Sequence, residues 1–222
     1  MNIGVTGLAG RRVVRRDDRR RPVLDSYVRE EAYRIHVMEH QDSFNATLFR
    51  FLINRLGKQR DSFAAAHCVT LLEPHPEETE EILRYFGSVG PGEDIETQLA
   101  HLLRMGKLVY DYQLYQVIEW FYERPNQPSD LLIDFAREIG FNAISPRYLR
   151  TICKALLGKF GLPADLERIA LLYDETTDPS ERVEIICSIR RMEPGRRNAL
   201  LARFRDDGEM NRTAARWIRA AQ

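Results

Sequence analysis

Two short stretches of this 222-residue chain carry residue types that do chemistry. His36-Val37-Met38-Glu39-His40 sets two histidines four positions apart with a glutamate between them. On a helix, residues i and i+4 share a face, so both imidazoles could bind one zinc ion while the carboxylate serves as base, and Glu119 stands at a suitable sequence distance for a third ligand. Arg34 and His40 enclose five residues, and Arg60 and His67 enclose six. A guanidinium and an imidazole on one helix face could stabilise a phosphorane and shuttle a proton during RNA cleavage. Both patterns also have ordinary explanations. Histidines at a helix C-terminus interact favourably with the negative end of its dipole, and short Arg–His spacings recur by chance. On this basis we assign no catalytic residue, no metal ligand and no cofactor.

Arg11, Arg12, Arg15, Arg16, Arg19, Arg20 and Arg21 place seven arginines in eleven residues. They repel one another, and Gly4, Gly7 and Gly10 before them disfavour a helix, so residues 1–22 read as a flexible basic arm, or as a hairpin turning at Asp17-Asp18. Guanidinium groups bind phosphate bidentately and release counterions. The arm is therefore the expected nucleic-acid-binding element, although no aromatic residue is interleaved to stack on bases; docking to an acidic surface is the other use of such a run.

Other groups read as structural. Glu77-Glu78-Glu80-Glu81 and Glu93-Asp94-Glu96 open predicted helices, where carboxylates are stabilising, and lack the oxygen-ligand spacing of a calcium loop. Tyr110, Tyr112, Tyr115, Trp120, Phe121 and Tyr122 crowd one helix and read mainly as core, with room for one partner-facing anchor. Arg190, Arg191, Arg196 and Arg197 flank the turn at Pro194-Gly195 and read as a solvated edge that could also bind phosphate.

The elements that must position these residues are helices. Asp25 or Ser26 caps a predicted helix to about His40, with Val28, Ala32, Ile35 and Met38 inward. Further helices are predicted over residues 43–57, 61–72, 77–86, 94–105, 111–123, 129–139, 145–159, 163–173, 179–192, 196–205 and 209–220. Pro74 and Pro76 force a break, and prolines at 146, 163 and 179 suit first helical turns. No stretch alternates with period two, so no sheet is needed.

Ile118, Ile152 and Ile186 recur every 34 residues, with Ile82 36 residues before the first. At the same offset Leu132, Leu166 and Leu200 align, as do Ala136, Ala170 and Phe204, and Cys153 aligns with Cys187. Apolar recurrence on two helices per unit is what stacked hairpins require. The fold expected is all-α, a HEAT-like α-solenoid of stacked helical hairpins behind a flexible basic arm. Gly87, Gly90 and Gly92 around Pro91 mark a boundary, giving an arm over 1–22, an N-terminal helical subdomain over 23–87 and a helical repeat domain over 92–222.

The formal net charge is zero, yet residues 1–60 carry +6 and the remainder −6. With 44% hydrophobic residues the chain can bury a sizeable core. No apolar run reaches the roughly 18 residues of a spanning helix. Cys68, Cys153 and Cys187 form no close pair in sequence, as expected of reduced thiols in a cytoplasmic protein.

Asn45 to Phe86 resembles the helical region that follows the polymerase domain in bacterial reverse-transcriptase-like antiphage and abortive-infection proteins. Leu48, Leu52 and Leu56, then Leu71-Leu72, His75-Pro76 and Ile82-Leu83-Arg84-Tyr85-Phe86 carry the resemblance, while the paired aspartates of the polymerase are absent. It implies a piece without polymerase activity that holds nucleic acid or a partner subunit in a defence complex. The Arg–His spacing likewise resembles that of HEPN ribonucleases, and the His–Glu–His stretch that of inverted zinc peptidases. Two classes of function thus follow from the sequence: a non-catalytic scaffold that holds a protein partner or nucleic acid, and a ribonuclease or zinc hydrolase working from the region His36 to His67.

Overall fold

A computed structural model describes residues 28–39, 43–90 and 92–204. Among them the chain is all-helical, without a strand. After a first segment come α1 (Ala46–Gln59), α2 (Ala65–Leu71), α3 (Thr79–Val89), α4 (Glu93–Arg104) and α5 (Asp111–Glu123), then α6 (Asp130–Gly140), α7 (Arg147–Phe160), α8 (Pro163–Glu175), α9 (Pro179–Arg190) and α10 (Pro194–Arg203). The predicted helix over 209–220 lies outside the described residues.

Local chemistry sets many of these limits. Asn45 accepts a hydrogen bond from the Leu48 amide at 3.0 Å and so caps α1. Arg60 ends that helix in the left-handed region at φ 56°, and Gly90 ends α3 at φ 65°, a conformation open to glycine without a Cβ penalty. Asp178 caps α9 through the Ser180 amide, 2.8 Å away, immediately before Pro179. The helix predicted from Asp61 starts later, at Ala65, because the Asp61 carboxylate instead accepts from the Phe63 amide at 3.0 Å and holds a turn.

The first segment departs from the predicted stripe. Val28–Ala32 and Arg34–Met38 are π-helical, and the Glu39 amide donates to the Arg34 carbonyl five residues back. Under i→i+5 bonding Ala32 and Val37 fall on one face. They are buried along with Tyr33, whereas Met38, expected inward, is exposed.

The helices pack in two layers. In the first, α1, α3, α5, α7 and α9 each pack on the next; in the second, α2 packs on α4, α4 on α6 and α8 on α10. Ile82, Ile118, Ile152 and Ile186 occupy successive first-layer helices and are all buried. Ala136 and Ala170 are buried in the second layer, as is Phe204 just beyond α10; of the aligned cysteines, Cys153 is buried and Cys187 only partly so.

Polar side chains step along the same period. Lys107 Nζ lies 2.9 Å from Glu73, and Gln113 Nε2 lies 2.9 Å from Thr79 Oγ1, each pair being 34 residues apart. Arg104 pairs with Glu138 and Arg150 with Glu184 at the same separation of 34. Buried apolar side chains form one cluster from Ala32 to Leu157, running past Gly90, and another from Ile169 to Phe204, with half-buried Phe141 packed against both. Where these clusters meet, α6 is tied to α8 by Arg137, whose Nε and Nη2 each lie 2.9 Å from the Asp165 carboxylate.

Candidate functional site: an aromatic and acidic strip

The residues just before and within the first turns of the first-layer helices form a connected strip. Phe44, preceding α1, stacks on His75, preceding α3, with ring centroids 3.8 Å apart. His75 Nδ1 lies 3.4 Å from Glu77. Glu77 in turn acts electrostatically on Tyr112 in the first turn of α5, whose phenol is raised above its ordinary pKa by desolvation first, then by Tyr110 and Glu77. Tyr110 and Tyr112 stack with centroids 5.7 Å apart. Desolvation first, then the negative charge of Asp111, between them in sequence, raises the phenol of Tyr148 in the first turn of α7. Tyr148 meets Tyr115 edge-on at 6.1 Å.

Much of this strip is uncovered. Tyr110, Tyr112 and Tyr148 keep 50, 47 and 45% of their surface, and Val109, next to Tyr110 in the chain, keeps 72%. The aromatic-rich helix therefore divides: Trp120 and Phe121 enter the core, as expected, while Tyr110 and Tyr112 face outward. The separation follows from helix geometry. Trp120 meets Phe86 of α3 and its neighbour Phe121 edge-on, whereas Tyr110 and Tyr112 start the helix, where the chain turns at the end of the layers.

A second feature is a cavity of about 400 Å³ where the two core clusters meet, lined by Phe141, Ala143, Lys154, Glu175, Glu181 and Glu184 among others. At its wall Glu184 accepts from Lys154 Nζ at 2.5 Å and from Arg150, while Arg150 also donates to the Ala143 carbonyl at 2.6 Å. Lys154 is buried and its pKa is lowered by desolvation against the pull of Glu184; Glu184, despite its own desolvation, is held below the ordinary carboxylate range by Arg150 and Lys154. Glu181 accepts from Thr176 Oγ1 at 2.6 Å, and Asp178 caps α9. These groups satisfy one another and form a structural ion network.

The chemistry-bearing motifs read from sequence are placed as follows. His36 and Glu39 are both exposed, and Glu39 lies 2.7 Å from Arg34; His40 lies outside the described residues. Glu119 accepts from Tyr115 at 2.7 Å and pairs with Arg191 at 3.4 Å. Among the described residues no group of three or more His, Cys, Asp or Glu side chains could hold a metal ion. Arg60 and His67 do not share a helix, since Arg60 caps α1 and His67 belongs to α2. The His67 ring packs edge-on to Tyr33 at 5.9 Å, its buried Nε2 has no hydrogen-bond partner, and desolvation lowers its pKa. Beside it Tyr33 Oη and Cys68 Sγ are 3.4 Å apart, and burial raises the Cys68 thiol to about 12, so it stays protonated.

Arg11, Arg12, Arg15, Arg16, Arg19, Arg20 and Arg21 lie outside the described residues. Of the arginines around Pro194-Gly195, Arg191 donates to Tyr115 Oη at 3.2 Å, and Arg196 donates to the Gly158 and Gly161 carbonyls at 3.2 and 2.9 Å. Those two cations are spent on holding helices together. Sequence reasoning allowed one partner-facing anchor among these aromatics but did not gather the strip, though a signal was available: tyrosines at the first turn of a helix, beside Asp111, are poor core candidates because the phenol needs a polar outlet.

Among the described residues no helix is long and apolar enough to cross a membrane. Comparison of the chain with protein-family profiles, with curated proteins and with solved structures finds no match, so none of the three carries the resemblance drawn from Asn45 to Phe86.

Proposed function

We propose that this chain is a non-catalytic α-solenoid binding module that docks a polypeptide along the aromatic and acidic strip. The observation that carries this reading is the cluster of exposed tyrosines at the starts of α5 and α7, with Tyr110 stacked on Tyr112 at 5.7 Å and Tyr148 edge-on to Tyr115 at 6.1 Å, beside Asp111 and the acidic start of α3. Exposed, clustered aromatic side chains are the commonest anchors of protein interfaces. The order of packing in the first layer and the polar pairs one period apart support the stacked-hairpin architecture, which presents successive helix ends along one edge.

Glu77 and Asp111 favour a polypeptide over a nucleic acid on this strip, because carboxylates among the tyrosines would repel phosphates. Lys107 nearby in sequence is already paired with Glu73. A displayed library of random peptides tests the reading. The native chain should enrich a shared sequence pattern, and the triple variant Tyr110→Ser, Tyr112→Ser, Tyr148→Ser should not. Equal enrichment by both proteins rejects docking on the strip, as does enrichment by neither when Arg15, Arg16, Arg19, Arg20 and Arg21 are also changed to Gln so that no segment of the chain competes.

A further inference from the structure

We infer that the strip is the docking site of this chain's own arginine-rich segment, residues 11–21. This inference rests on the reading of the strip as a polypeptide-binding edge and names its occupant.

Three observations converge. The first is chemical: the strip offers the exposed faces of Tyr110, Tyr112 and Tyr148 beside Glu77 and Asp111. A guanidinium gains from both kinds of group, stacking on an aromatic face while its N–H groups bond a carboxylate. The same pairing is used inside the fold, where the Arg168 guanidinium sits 4.0 Å from the Phe141 ring centroid and that of Arg124 4.5 Å from Trp120, with Arg124 also bonded to Glu96.

The second is charge. Residues 1–60 carry +6 and the rest of the chain −6, and the excess of positive charge is concentrated in the seven arginines of 11–21. Asp17 and Asp18 are the only acids within that run. Two oppositely charged regions of one polypeptide meet at a high effective concentration.

The third is reach. Val28–Ala32 packs on α1 at the C-terminal end of that helix, where Arg29 Nε lies 2.7 Å from Asp61. The strip begins at the opposite end, with Phe44. The 14 residues of α1 cover about 21 Å, and the two further first-layer helices to α5 add about 20 Å at ordinary interhelical spacing. The 17 steps from Arg11 to Val28 can extend to about 60 Å. Arg11 to Arg16 therefore reach the strip at α5 of their own chain without a partner molecule, while Arg19 to Arg21, closer to Val28, reach only its start near Phe44.

Photo-crosslinking in the full chain tests this. p-Benzoylphenylalanine is placed at position 112, or at position 171 on α8 as an exposed site away from the strip, and a mixture of isotopically heavy and light chains is irradiated. The expected product at position 112 is a cross-link to residues 11–21 within one chain. It should fall at least about tenfold when Arg15, Arg16, Arg19, Arg20 and Arg21 are all changed to Gln, as the sum of several exposed charge pairs, with far-ultraviolet circular dichroism unchanged. No cross-link to 11–21, cross-links only between chains, equal yield from position 171, or insensitivity to the five Arg→Gln changes each overturns the inference. If these fail while the peptide library still enriches Tyr112-dependent sequences, the strip docks a polypeptide other than this segment. If the library also fails, the docking reading falls with it.

Discussion

Lys154 and Glu184, 30 residues apart and both buried, meet at 2.5 Å between α7 and α9, with Arg150 on the same carboxylate. Taking a charge out of water costs several kcal/mol, and here Glu184 is compensated by Lys154 and Arg150, with Arg147 4.0 Å away, and Arg150 also by the Ala143 carbonyl. Glu184→Ala leaves two cations facing a desolvated wall. It should destabilise the fold by about 3–5 kcal/mol, read from urea denaturation, while Lys154→Met should cost less because Arg150 still neutralises Glu184.

Gln113 is a second interior polar joint. Its side-chain amide donates to the Leu72 carbonyl at 2.6 Å and to Thr79 Oγ1 at 2.9 Å, tying α5 to the end of α2 and the start of α3. Gln113→Leu preserves volume and leaves a buried carbonyl without its donor. The expected cost is about 1–3 kcal/mol by denaturant unfolding, and Thr79→Val should add to it in the double variant, because Thr79 Oγ1 also donates to the Pro76 carbonyl at 2.7 Å.

His67 makes stability depend on pH. Its pKa is lowered in the fold by desolvation, so the unfolded chain binds more protons in the interval between the folded value and the ordinary value near 6.5. The contribution is present above pH 6.5 and is lost as pH falls through the folded pKa. His67→Gln should reduce the fall in unfolding free energy between about pH 7 and pH 5; an unchanged profile would assign that fall to other groups.

Salt separates the docking of the arginine segment from simple proximity. Exposed charge pairs are screened over about 10 Å at 0.1 M and about 3 Å at 1 M ionic strength. The yield of the cross-link from position 112 to residues 11–21 should therefore drop steeply between 0.05 and 1 M salt, on the order of the loss caused by the Arg→Gln changes.

Much of the helical scaffold is legible in sequence because its determinants are local. The 34-residue recurrence of Ile118, Ile152 and Ile186 reports residues that are indeed buried on successive first-layer helices, and Pro163 and Pro179 open helices as their fixed φ requires. What is not legible depends on partners distant in the chain. Nothing near Glu78 announces that it is buried under Arg50, which reaches it with two bonds of 2.7 Å from 28 residues away. The π-helical winding of Val28–Ala32 and Arg34–Met38 changes which side chains face inward while leaving the apolar pattern looking α-helical. The strip was hidden for a similar reason: an aromatic-rich helix reads as core, and only its place at the end of the layers leaves Tyr110 and Tyr112 outside.

The most direct test of the docking edge is the affinity of a library-selected peptide for the native chain and for Tyr112→Ala, measured by isothermal titration calorimetry. A central aromatic anchor contributes about 2 kcal/mol or more, so the variant should bind roughly 30-fold more weakly. Equal affinity for the two proteins would contradict the account.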